Sequence, residues 1–359
     1  MANQTRWYTT LEAVKRLPSM EGVLLDAIIT EKIEGATAEI ERLTNRRFIP
    51  LTATKYYPWP QRGGRGWYLM IEQEEPGAGG GDLLAVTALT KDGVDLTAIA
   101  STNYFAEPIN DGPPYTRIEI DLASSAFFAS HASTPQRGIA VTGRWGYSED
   151  TRAAGTVASG LSSSASATSG VCSDASLIGV GDTLKIESEA LFVSAKGTVD
   201  TTANTAGALT ASKPETTVPI NTGSLVKAGE VILIDSERMF VESVSGNNLT
   251  VVRAWDGSTL ATHANPSDVY AFRTLTLVRG INGTTAAVHA DATAITRYAP
   301  PSDIVSLCRE MVIAELVQSR GGWTGAIGAE SAAETRMFNL RELRDRVVRT
   351  YKKRATVAV

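Results

Sequence analysis

Hydrophobic positions in the first fifty residues repeat with a helical period. Leu24, Leu25, Ile28, Ile29, Ile33, Ala36, Ile40 and Leu43 fall three and four apart, which predicts a helix over 21–44 with one apolar stripe. Glu31, Lys32, Glu34, Glu39 and Glu41 take the other face. A shorter helix is predicted over 9–17, capped by Thr9 or Thr10, with Glu12 in its first turn and Pro18 at its end. After Phe48 the period shortens. TATKYYPWP, GWYLMIEQE, LLAVTALT, RIEIDL and GIAVTGRWGY read as strands, broken at PGAGGGD (76–82) and NDGPP (110–114). Residues 48–147 should therefore form a small antiparallel β structure on the long helix.

Residues 153–170 are almost all small and polar, which predicts an unordered linker. Alternating Thr, Val, Ala and Gly over 171–299 predicts a β region. Helical spacing returns after Pro300-Pro301, with Ile304, Leu307, Cys308, Met311, Val312 and Leu316 as the stripe and Gly321-Gly322 as the stop. A final helix is predicted over about 330–353.

The β region contains a repeat. GDTLKIESEALFV (181–193) matches GEVILIDSERMFV (229–241), 48 residues on. NLTVVRAWDGSTLATHA (248–264) matches TLTLVRGINGTTAAVHA (274–290), 26 residues on. The order is first half, first half, second half, second half. That order implies one unit inserted into another: an inner unit at 219–272 and an outer unit split between 171–197 and 273–299. Asp256-Gly257 and Asn282-Gly283 are tight-turn dipeptides.

Composition narrows the chemistry. The chain has 359 residues, 43% of them hydrophobic, with formal charge −5, which argues against coating nucleic acid over the whole surface. No signal pattern opens the sequence and no apolar run reaches a membrane span, so a soluble protein made in a cytoplasm, with no membrane partner, is expected. Cys172 and Cys308 are expected to be two buried thiols. No Cys/His ligand cluster occurs, and GGRG (63–66) lacks the lysine of a phosphate loop. No metal, cofactor or catalytic residue is assigned.

Glu187/Glu189 and Asp235/Glu237 resemble the acid pairs of glycosidases or calcium sites. They recur at matching repeat positions, as do His263 and His289, so a structural role is expected, for instance pairing with Arg253 or Arg279. Each acid pair should share one strand face. His131 stands alone. The C-terminus is the charged outlier: Arg336, Arg341, Arg344, Arg346, Arg349, Lys352, Lys353 and Arg354 against Glu342 and Asp345, a surplus of six. The rest of the chain then carries −11. That helix is either a solvated face or a docking surface for an acidic partner or DNA.

Three segments, IITEKIEGATAEIERLTNRRFIP (28–50), VTGRWGYSED (141–150) and PPSDIVSLCREMVIAEL (300–316), resemble the head–tail connector (adaptor) family of tailed phages. Arg47-Phe48 stands where a long helix gives way to the first strand, Trp145-Gly146 ends a later strand, and Pro301 leads a helix. The resemblance covers roughly 1–150 and 300–359. It implies an α+β fold: a helical connector core with a small antiparallel β sheet, plus inserted all-β modules forming a nested repeat. Residues 1–150 and 300–359 would make the core, 151–170 the linker and 171–299 the insertion. It further implies a non-enzymatic virion protein of the neck, assembled in the host cytoplasm as a homo-oligomeric ring of about twelve subunits. Its partners would be the portal, a stopper or tail-terminator protein, and DNA passing through the lumen without sequence specificity. The eight basic residues from Arg336 to Arg354 become candidates for portal docking or for lining the DNA channel. The alternative is a β-rich decoration or host-attachment protein.

Overall fold

A computed structural model describes residues 5–16, 25–60, 66–71, 81–91, 97–128, 136–324 and 330–353. His131 and most of the PGAGGGD and GGRG segments lie outside them. Thr10 caps α1 (Leu11–Lys15) by accepting the Ala13 N–H, as its position suggests. Helix α2 (Asp26–Thr44) ends on Asn45, whose left-handed conformation closes the last turn onto Glu41. Its stripe of Ile29, Ile33, Ala36 and Ile40 is buried against α3 (Ser302–Thr324). Thr37 Oγ1 and Cys308 Sγ meet there at 3.7 Å. Helix α3 runs through Gly321 and Gly322 to Thr324, so those glycines do not stop it. Helix α4 (Glu330–Tyr351) packs through Val347 and Tyr351.

Seven strands follow α2: β1 (Leu51–Tyr57), β2 (Tyr68–Met70), β3 (Leu83–Lys91), β4 (Thr97–Ile99), β5 (Tyr104–Glu107), β6 (Arg117–Ile120) and β7 (Ile139–Trp145). They form two antiparallel sheets, ordered β1-β7-β3-β4 and β2-β6-β5. The two sheets share a core of Leu69, Ile71, Leu83, Ile118, Val141 and Trp145.

The expected linker is the first clear correction. Residues 151–159 form β8 (Thr151–Ser159) and 169–172 form β9 (Ser169–Cys172). Their small side chains form strands because neighbouring strands supply ladder partners and a shared apolar interior. They are followed by β10 (Thr183–Ile186), β11 (Glu189–Asn204), β12 (Thr217–Pro219), β13 (Val231–Ile234), β14 (Glu237–Ser245), β15 (Asn248–Val252), β16 (Asp268–Val278) and β17 (Ala294–Tyr298). Pairings β8–β9–β16–β11–β10–β17–β8 close one six-stranded barrel. Pairings β11–β16–β13–β14–β15–β12 close a second, sealed by the Thr205–Ile220 bridge. The long strands β11 and β16 serve both barrels. Register shifts after Val193, Gly197 and Asp200 let β11 bend from one to the other.

The two barrels correspond strand for strand at the sequence offsets of 48 and 26. In the inner barrel a Gly246-Asn247 turn joins Ser245 to its partner Asn248. The matching outer pair is Gly197 and Thr274. The inner unit therefore replaces one hairpin turn of the outer unit, a position where strand ends already lie side by side. The interiors match too: Leu184, Ile186, Leu191, Val193 and Leu277 in one, Ile232, Ile234, Met239, Val241 and Val251 in the other.

The fold class needs correcting as well. Among the described residues the chain is mostly β, with three sheets, one of ten strands, and four helices holding 23% of the residues; they show no helical connector core. The helices bury their stripes partly on the β region: Ala190, Phe192 and Ile281 sit in one cluster with Ile33, Phe48 and Leu307. Strand β11 alternates, so Leu191 and Val193 point into the outer barrel while Ala190 and Phe192 point at the helices. The middle third is thus built into the core that the chain ends share.

Candidate functional site

The repeated acid and histidine positions come together as twin buried networks. Glu237 receives Arg253 Nε and Nη2 at 2.7 and 2.8 Å, and the backbone N–H groups of Ala254 and Ala261 at 2.8 and 3.0 Å. His263 Nε2 lies 2.9 Å from the same carboxylate, and its Nδ1 lies 2.7 Å from Asp235. In the outer barrel Glu189 receives Arg279 Nε and Nη2, both at 2.8 Å, with Gly280 and Ala287 N–H at 2.9 and 3.0 Å. His289 bridges Glu189 and Glu187 at 2.8 and 2.9 Å.

Neither acid pair lies along a strand face, as the sequence suggested. Glu187 and Asp235 occupy the first turn position of their hairpins at φ 54° and 51°, while Glu189 and Glu237 open the next strand; each pair brackets a histidine ring. Burial works to raise Glu189 and Glu237. Arg279, the Ala287 N–H, His289 and the Gly280 N–H outweigh it at Glu189, as Arg253, His263 and the Ala254 and Ala261 N–H groups do at Glu237, and both fall to about 2. Each carboxylate is saturated with donors and wholly buried, with no open face toward a substrate. The networks hold the long loops after β15 and β16 onto their hairpins.

The basic helix splits into groups. Arg341, Arg344, Arg346, Arg349 and Lys352 are exposed and spread around the helix outside the buried Val347 and Tyr351. Arg344 reaches Glu39 of α2 at 3.2 Å, an exposed pair worth little. Lys353 does not belong with them: it is nearly buried, 3.4 Å from Asp82, and its N–H donates to Thr44 O. The side chain of Arg336 and all of Arg354 lie outside the described residues. No group of three or more His, Cys, Asp or Glu able to hold a metal occurs among the described residues.

Two features escaped the sequence reading. Arg47 donates to Ile49 O and, at 2.6 Å, to Asn282 Oδ1, while Thr52 N–H donates to Asn282 O. The Asn282-Gly283 turn thereby docks on the start of β1, so closely that a Cβ on Gly283 would lie 1.9 Å from Thr52 O. The corresponding Asp256-Gly257 turn meets α1, with Lys15 Nζ between Asp256 at 2.6 Å and Asp26 at 2.5 Å. Beside it opens a cleft of about 540 Å³ between α1, the start of α2 and both barrels. Arg47 and the two turns were visible as motifs, but their partners lie too far along the chain for spacing to reveal. Comparison with family models, with curated proteins and with solved structures found no match for this chain.

Proposed function

We propose that this chain is a non-catalytic structural subunit of a tailed-phage particle, forming a ring between the portal and the stopper or tail, with DNA passing through the lumen. One observation supports the reading: Phe48 and Tyr147, from two of the segments that resemble connectors, sit with Tyr8 and Tyr351 in one aromatic cluster that ties the chain ends together. Phe48 packs against Tyr8, Tyr147 and Tyr351 with ring centroids 5.4–5.6 Å apart, and Tyr147 N–H donates to Arg47 O at 2.7 Å. Trp145 is buried in the adjoining core of the β sheets, and Gly146 N–H donates to Asp82 O. The exposed basic residues of α4 suit an acidic partner surface or a polyanion. Repeated around a ring, weak contacts of this kind would add by multivalency.

Native mass spectrometry of the full chain tests the reading. A closed ring of about twelve subunits is the expected result. A monomer or trimer at the same concentration would remove it and favour a β-rich decoration or host-attachment protein.

A further inference from the structure

Helices α2 and α4 each bury one face in the shared core and leave the rest bare. On α2 the bare face holds Ala27, Ile28, Glu31, Glu34, Gly35 and Ala38. Glu31 and Glu34 stand one turn apart, and neither has an ion-pair partner among the described residues. Ile28 belongs to the apolar stripe in the sequence, yet α3 leaves it 45% exposed. A Cβ on Gly35 would meet nothing within 4 Å, so a second helix can approach this face closely.

The electrical complement lies on α4 of the same chain. Its five exposed basic residues outnumber the exposed Glu342 and Asp345 by three. Arg344 reaches Glu39 of α2. Arg341, Arg346, Arg349 and Lys352 form no ion pair among the described residues. Glu34 and Glu31 stand five and eight residues before Glu39, about 7 and 12 Å back along the helix by its rise per residue. Within one chain, therefore, the two sets of charges are left unmatched.

We infer that the bare face of α2 docks α4 of a second copy of this chain, with Glu31 and Glu34 opposite Arg341, Arg349 and Lys352 and with Ile28 covered at the edge of the contact. Charge complementarity names the occupant: the acids left over on one helix meet the bases left over on the other. Exposed ion pairs are weak singly, but complementary charge selects the partner and fixes its register. One face of each copy meets a different face of the next, so the contact is heterologous and propagates from copy to copy. The inference rests on the proposed ring and names the two faces that close it.

The test is a charge swap in the full chain, read by native mass spectrometry and sedimentation velocity at low ionic strength. One variant carries Glu31→Lys and Glu34→Lys; the other carries Arg341→Glu, Arg349→Glu and Lys352→Glu. All five positions are exposed, so circular dichroism should match the wild type. Each variant alone should need about tenfold or more higher concentration to assemble. An equimolar mixture should recover assembly with the two chains in equal numbers, because every contact then joins opposite charges. A chain carrying all five substitutions should assemble with itself. A wild-type ring that persists in both variants would overturn the inference and leave the ring reading standing; a monomeric wild type would overturn both. Open wild-type oligomers that both variants lose and the mixture restores would support the two faces and remove the ring. Loss of assembly in the α4 variant alone, or a mixture that fails to recover it, would assign the basic helix to another partner and overturn the inference.

Discussion

The outer and inner barrels have matching interiors and differ in what their outer faces meet. Both hold a Glu-Arg-His network, both turn through a left-handed acidic residue, and both cap the stretch before β10 or β13 with a buried carboxylate. Asp182 accepts the Gly179 N–H at 2.7 Å and Glu230 accepts the Lys227 N–H at 2.9 Å. Outside, Ala190, Phe192 and Ile281 of the outer barrel are buried under helices. The corresponding Arg238, Phe240 and Trp255 of the inner barrel border an open cleft. The repeat thus fixes the module, and the few residues that differ on its outer face fix whether that face becomes core or surface. Glu230 also shows how the two are coupled: it takes Arg273 Nε and Nη2, both at 2.7 Å, and the Ala175 N–H of the outer barrel.

The comparison can be broken most severely by deletion. Replacing the inner unit with its own Gly-Asn turn, placed between Gly197 and Thr274, should leave an outer barrel of six strands and a cooperative thermal transition. Removing 151–299 instead takes Ala190, Phe192 and Ile281 from the helix cluster, and circular dichroism should show loss of the folded state. Next, Glu237→Ala or Glu189→Ala removes the bidentate carboxylate partner of a buried arginine and should cost about 3–5 kcal/mol in urea unfolding. Matched losses in the two barrels would confirm their equivalence. Ile281→Ala should cost about 2–5 kcal/mol, because Ile281 is fully enclosed. Trp255→Ala, at the same repeat position, should cost only about 0.5–1.5 kcal/mol from its lost stacking on Phe240.

Acid titration separates the barrels more finely. Glu189 and Glu237 sit near 2 when folded, against an ordinary 4.5. Their contribution is complete above pH 4.5 and is lost as pH falls toward 2, equally in both barrels. Asp182 has the opposite sign. Burial, only partly opposed by Arg297, pushes it from 3.8 up to about 6, so it favours the folded state below pH 3.8 and loses that advantage as pH rises to 6. Asp182→Asn keeps the acceptor for Gly179 and should flatten the stability profile between pH 4 and 6 in denaturant titrations. The smallest effect belongs to Lys15→Met, about 1 kcal/mol, since Asp256 keeps Arg238 at 2.6 Å as a partner.

Several elements were legible from period and punctuation alone: α2 from its isoleucine stripe, the start of α3 after Pro301, and the strands β1, β3, β6 and β7 from alternation between breaks. The repeat was legible as well, because its two halves keep residues for a shared interior and a shared buried network. The first strands of the outer barrel were not. ASGLSSSASATSG (158–170) has too little apolar surface to order itself; its ends join β8 and β9 only where β16 and β17 supply hydrogen bonds and Leu161 and Cys172 find a core, and 160–168 form the turn between them.

The chain's own sequence determined its modules: which segments are helices, where the repeat recurs, and which Glu, Arg and His must sit together. Local period, turn residues and repeated spacing suffice for that, because they act within a single element or between identical ones. Only the tertiary structure decided that the inner unit replaces a hairpin turn, that the helices rest on a barrel instead of forming a core of their own, and that one outer face is covered while its twin borders a cleft. Those outcomes depend on contacts between residues 100 or more positions apart, such as Phe48 with Tyr351 or Arg47 with Asn282. No local pattern encodes them; they follow from which apolar and charged faces can be satisfied together.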